Sequence, residues 1–168
     1  MNISGPLRAK ASETIVYGGL AIGILDFLDA SIFFPAYYGI SFQQVWWGPA
    51  SGVIGREAAR AGGLNTAILG IVMHFCVAFS IAAVYFLMTR YVPKLLKHPV
   101  ISGLLFGIAA HFVMQCVVVP LSARGGSPAN VFNEPLVSML NSLIGHALLV
   151  GLPVALIAAW SAKRNKLD

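Results

Sequence analysis

The residues able to do chemistry in this chain are few, and lipid-compatible sequence surrounds each of them. Asp26 and Asp29 lie in GILDFLDASIFF (residues 23–34), His74 in GIVMHF (70–75), His111 in GIAAHF (107–112) and His146 in LIGHALLV (143–150). Carboxylates and imidazoles inside apolar runs exchange protons, hold cations or pin helices together. Other chemistries find little support. There is no GxGxxG, Walker A, HExxH or CxxC pattern. GPASG at 48–52 is a poor match to the GxSG of intramembrane serine proteases, because Pro49 replaces the first Gly and spacing assigns no general base to Ser51. The chain is read as a non-enzyme.

Composition explains why those groups sit in such surroundings. Of 168 residues, 58% are hydrophobic and 10% charged, and the mean hydropathy is +0.80, well beyond what a soluble domain needs. A span takes about 20 mostly apolar residues at roughly 1.5 Å each. Four stretches qualify: about 14–36, 66–88, 100–121 and 136–160. The expected fold is therefore all-α, a polytopic bundle of four transmembrane helices in a single domain covering residues 1–168. The segment 37–65, with Trp46, Trp47, a Gly-Pro break and Arg56 four residues before Arg60, predicts an external interfacial helix between the first two spans. Such a helix seals the bundle or gates it. Asn133 or Glu134 is expected to cap the fourth span ahead of Pro135.

Charge gives the orientation. The formal net charge of +5 is unevenly placed. Arg8, Lys10, Arg90, Lys94, Lys97, Lys163, Arg164 and Lys166 fall on one side of the predicted spans, and Arg56, Arg60 and Arg124 on the other. The positive-inside rule then puts both termini in the cytoplasm. The basic balance is read as topology, not as a nucleic-acid partner. The basic start followed by an apolar run resembles a signal peptide, but the run exceeds a typical h-region of about 7–15 residues, so cleavage is not expected. Cys76 and Cys116 fall inside spans and are read as packing residues.

Rise per residue puts the ionisable groups at one depth. Asp26 lies roughly 18 Å from the cytoplasmic edge, His74 roughly 12 Å from the external edge, His111 roughly 16 Å from the cytoplasmic edge and His146 roughly 15 Å from the external edge. Each sits on a stripe of small residues: Gly19, Gly23, Asp26 and Ala30, with Asp29 beside it; Ala67, Gly70, His74, Ala78 and Ala82; Gly103, Gly107, His111 and Gln115; and Ser138, Ser142 and His146, with Asn141 adjacent. Small-residue stripes are the contact faces of membrane helices. The expected ion or proton site is thus Asp26, Asp29, His74, His111, Gln115 and His146, supported by Asn141 and Ser142. The alternatives from the same residues are a structural polar core, worth about 0.6–2 kcal/mol per interaction, and a b-type haem held by two histidines. Met73, Met114 and the cysteines would suit a soft metal, but neither metal nor cofactor is fixed by this pattern. GIVMHF and GIAAHF form an internal echo on oppositely directed helices, a transporter habit.

The stretches HFCVAFSIAAVYFLMTRYVPK, SGLLFGIAAHFVMQCVVVPLS and LIGHALLV resemble the YagU-like group of bacterial inner-membrane proteins, a domain of unknown function. The resemblance runs from His74 to about Trp160 through Tyr85, Pro93 with Lys94, Gly103 and Gly107, Pro120 with Leu121, and Gly145 with His146. It implies a bacterial inner-membrane location and supplies no substrate. The family motif carries over to His74 and His146; its polar position on the third helix falls at His111 or one turn on, at Gln115. Taken together, these residues point to a small membrane protein handling protons or a cation, expected as a homo-oligomer or part of a larger membrane complex because four helices enclose little space. A scaffold or accessory subunit is the alternative.

Overall fold

A computed structural model describes residues 7–127 and 133–166. Among them the fold is all-α. Helix α1 spans Ala11–Tyr38, α2 Phe42–Ile54, α3 Arg56–Ala61 and α4 Gly63–Tyr91. A 3-10 turn at Pro93–Leu96 leads into α5, Pro99–Leu121, and the last helix, α6, runs over Leu136–Arg164. Four of these, α1, α4, α5 and α6, are long and apolar enough to cross a membrane. Each extends a few residues beyond the stretch expected from hydropathy alone, because the helical backbone runs on past the apolar window.

Local signals set the breaks. At the end of α1, Gly39 takes a left-handed conformation (φ 66°) and its N–H donates to the Pro35 carbonyl at 2.9 Å, an αL cap that L side chains resist. Two residues later Ser41 opens α2 with a capping box: its Oγ accepts from the Gln44 N–H, and its own N–H donates to Gln44 Oε1 at 2.7 Å. Gly55 (φ 80°) divides α2 from α3. The segment between the first two spans is therefore two helices, and α2 does more than lie on a surface. Trp46 is 1% exposed and Ala50 fully buried, while Gly70 of α4 has no Cβ because one there would collide with the Trp46 carbonyl. The missing side chain lets the two backbones meet, so α2 is packed into the bundle. At the start of α6 the expected cap is not formed: Pro135 occupies the capping position, without a side-chain hydrogen bond. Asn133 and Glu134 precede it and do not cap.

Glycines also decide which helices touch. A Cβ at Gly19 or Gly23 of α1 would run into the rings of Phe79 or Phe75 of α4. Between α5 and α6 the approach is backbone to backbone. A Cβ at Gly103 would lie 2.8 Å from the Gly151 carbonyl oxygen, and one at Gly107 would lie 2.7 Å from Ala147 Cα and strike the His146 carbonyl. Helix α6 thus stands between α1 and α5, with α4 on the far side of α1.

The two halves of the bundle differ in character. The apolar core, including Ile22, Ala82, Tyr85, Leu96, Val150, Val154 and Ala158, fills the half nearer the chain termini. There Tyr85 bonds Ser102 at 2.9 Å and Ser102 donates to the Leu95 carbonyl at 3.0 Å, tying α4, the 3-10 turn and α5 together. At that end the Lys10 N–H donates to Ser161 Oγ at 2.9 Å, Asn165 donates to the Arg8 carbonyl at 3.0 Å, and Arg164 meets Glu13 at 3.0 Å. Both ends of the described chain lie together. At the opposite end the Ala123 N–H donates to the Gly52 carbonyl at 2.9 Å and Arg56 donates to the Arg124 carbonyl at 3.0 Å, fastening the loop after α5 to α2 and α3.

Two helices change pitch. Met114–Val118 in α5 and His146–Gly151 in α6 are π-helical turns. In each the widened turn closes on the residue just before a proline: the Val119 N–H donates to the Met114 carbonyl ahead of Pro120, and the Leu152 N–H donates to the Ala147 carbonyl ahead of Pro153. A proline ring clashes with the carbonyl four residues back, and one extra residue in the turn moves that carbonyl aside.

The packing yields a test. Gly107→Leu should destabilise the protein in detergent by about 1–3 kcal/mol or more, whereas Ile101→Leu, at a position 63% exposed, should leave the thermal midpoint within experimental scatter. Equal tolerance at both positions would show the contact face of α5 has been misassigned.

Candidate functional site

The polar side chains of the spans gather in the half of the bundle away from the apolar core. Helix α1 supplies Asp26 and Asp29, three residues and so about 60° apart around its axis, and the two carboxylates meet different neighbours.

Asp26 faces α4. Its Oδ2 lies 3.8 Å from His74 Nδ1, and the side chains are 25% and 12% exposed. The other ring nitrogen, His74 Nε2, donates to the Gly23 carbonyl of α1 at 2.9 Å. A carbonyl only accepts, so the Nε2 proton is fixed, and Nδ1 is left facing the carboxylate. At 3.8 Å the two groups are within ion-pair range but beyond direct hydrogen-bond distance. Aromatic rings flank His74. Trp46 of α2 meets the His74 ring edge-on at 5.1 Å between centroids, and Phe27 stacks on Trp46 at 4.6 Å. Phe75 closes another side, 5.4 Å from His74.

Asp29 faces α6. Asn141 donates to its Oδ2 at 3.0 Å, and the same oxygen lies over Gly145, 3.6 Å from where a Cβ would stand, an ordinary contact distance. One turn along α6, His146 Nδ1 donates to the Ser142 carbonyl at 2.8 Å. That fixes its tautomer the opposite way to His74, with Nε2 available. The His146 ring meets His111 of α5 edge-on at 5.1 Å. His111 is 1% exposed, and its Nδ1 has no hydrogen-bond partner among the described residues. An unpaired buried ring nitrogen costs about 1–3 kcal/mol, so this atom stands out.

The expected single cluster is therefore resolved into two parts on either side of α1. Asp26 and His74 form one; Asp29, Asn141, His146 and His111 form the other. Ser142 contributes its carbonyl, and its hydroxyl forms no hydrogen bond among the described residues. Gln115, half-buried within the π turn of α5, likewise makes no side-chain hydrogen bond there. The echo between GIVMHF and GIAAHF has a structural counterpart: Gly70 and Gly107 each admit a backbone carbonyl from another helix, of Trp46 and His146 respectively, four residues before His74 and His111.

Two features were not anticipated from sequence. Trp46 covers the Asp26–His74 pair, and the π turn of α6 begins at His146 itself. The signal for the second was present in Pro153, seven residues on. Cys76 is exposed and Cys116 half-buried, and neither is in a disulfide among the described residues. No group of three or more His, Cys, Asp or Glu side chains able to hold a metal ion occurs among the described residues. The Ser51 hydroxyl turns back to the Gly48 carbonyl of its own helix at 2.6 Å, which occupies it away from any histidine.

No family model, curated protein or solved structure matches this chain.

Proposed function

We propose that the protein moves protons across a membrane, with Asp26 and His74 as one exchange group and Asp29, His146 and His111 as a second. The observation that carries the reading is the arrangement of ring nitrogens. His74 and His146 are each anchored by one nitrogen to a backbone carbonyl, which orients the ring and leaves the other nitrogen for a mobile proton. In His74 that nitrogen faces a carboxylate at 3.8 Å. In neither group are three His, Cys, Asp or Glu side chains placed to hold a metal ion among the described residues, which favours protons over a tightly held cation. The edge contact between His111 and His146 supports a proton-sharing pair over two rings set on either face of a haem. Trp46 and Phe27 stand over the Asp26–His74 pair, so displacement of α2 is the step that would open it.

The setting is proposed to be a bacterial inner membrane, with both termini in the cytoplasm. The uneven charge supports this, since eight cationic residues sit toward one side of the spans and three toward the other. The resemblance to YagU-like proteins agrees. The protein is proposed to act as a homo-oligomer or within a larger membrane complex, because four helices enclose little space. Reporter fusions at Lys166 should read as cytoplasmic and those at Arg60 as external; a C-terminus outside would reverse the orientation.

A scaffold or accessory subunit is the second reading, and one observation favours it: Asp29 is satisfied by Asn141 at 3.0 Å as a purely structural group would be. Proton flux into liposomes under an imposed gradient separates the two. Wild type should conduct, and Asp26→Asn and His146→Gln, which keep size and hydrogen bonding, should be folded with flux reduced to the empty-vesicle level. A wild type no faster than empty vesicles, with both variants as stable as the parent, would favour the scaffold.

A further inference from the structure

At the end of the bundle far from the polar cluster, the start of α1 and the end of α4 leave an open groove of about 720 Å³ lined by Ala9, Lys10, Phe86, Leu87, Arg90 and Tyr91, among others. A smaller cavity of about 110 Å³ adjoins it, sharing Ala9 and Arg90 and adding Arg8, Thr89 and Pro93. Three cationic residues, Arg8, Lys10 and Arg90, thus line the two spaces from two separate segments, and no carboxylate among the described residues lines either. Neither the Arg8 nor the Arg90 side chain is in an ion pair with a described residue. The nearest acid in sequence, Glu13, is held by Arg164 at 3.0 Å.

Apart from Ser12, Thr89 and Tyr91 the rest of the lining is apolar, and the apolar surface continues along α4, where Leu87 is 53% and Val84 50% exposed. Tyr91, at the rim, has the amphipathic character of residues placed at headgroup level. Free phosphate would need only the cations. A charged head joined to hydrocarbon uses both parts of the surface, and basic pockets between helix ends recognise anionic lipid headgroups in this way.

We propose that this groove binds an anionic phospholipid, its phosphate held by Arg8, Lys10 and Arg90 and its acyl chains lying along Leu87 and Val84. Convergence distinguishes it from the general positive charge of this end, because Lys97 and Lys163 share the end but line neither space.

The test uses the full-length protein in mild detergent, titrated with phosphatidylglycerol or phosphatidylcholine and read by native mass spectrometry. Wild type should bind phosphatidylglycerol about tenfold or more tightly than phosphatidylcholine, and Arg8→Gln/Arg90→Gln should lose that preference. The charge-matched control Lys97→Gln/Lys163→Gln should keep it. Arg90→Gln alone should lower the preference several-fold, which preserves the test if the double variant does not fold. The proposal is overturned if wild type shows no preference, if the control loses as much as the double variant, or if inorganic phosphate displaces the lipid, which would make this a soluble-anion site.

Discussion

A carboxylate in the hydrocarbon region has to be met by a side chain from another helix, since no water is at hand and each unmet polar group costs several kcal/mol. That constraint acts twice on α1. Asp26 is met from α4 by His74, and Asp29 from α6 by Asn141. With two different partners demanded on two sides, α1 has to stand between α4 and α6, and this is where it stands. The glycines make the placement sterically feasible: Gly19 and Gly23 let the α4 rings approach, and Gly103, Gly107 and Gly151 bring α5 against α6 so that His111 reaches His146.

The bundle then divides its labour by depth. The half nearer the termini is an apolar core braced by Tyr85 and Ser102, with the chain ends tied by Lys10, Ser161, Arg8 and Asn165. The other half carries Asp26, Asp29 and the three span histidines, an embedded α2 and the π turn of α5, while the π turn of α6 runs from His146 into the apolar core at Val150.

Sequence made the four spans readable, since apolar length alone separates them from the loops, and the small-residue stripes placed His74, His111 and His146 on inward faces. Partners were not readable. Depth counted along a helix is good to about one turn, 5.4 Å, whereas a hydrogen bond is decided within about 3 Å. Hence Asp26 and Asp29 seemed to belong to one cluster, and a difference of only about 60° around the α1 axis sends them to different helices. Trp46 looked like an interface aromatic because Trp is common there; its burial against Phe27 and His74 depends on Gly70 in a different helix. The π turns were marked by Pro120 and Pro153, but a proline permits a kink or a break as well.

The central claim is that His74 and His146 are anchored through opposite ring nitrogens, each leaving the other nitrogen for the proton that the site handles. Nitrogen-15 NMR of histidine-labelled protein in bilayers reads this directly, with His74→Gln and His146→Gln samples assigning the signals. With the rings neutral, His74 should show its proton on Nε2 and His146 on Nδ1. Both rings in the same tautomer, or each averaged between the two, would contradict the account.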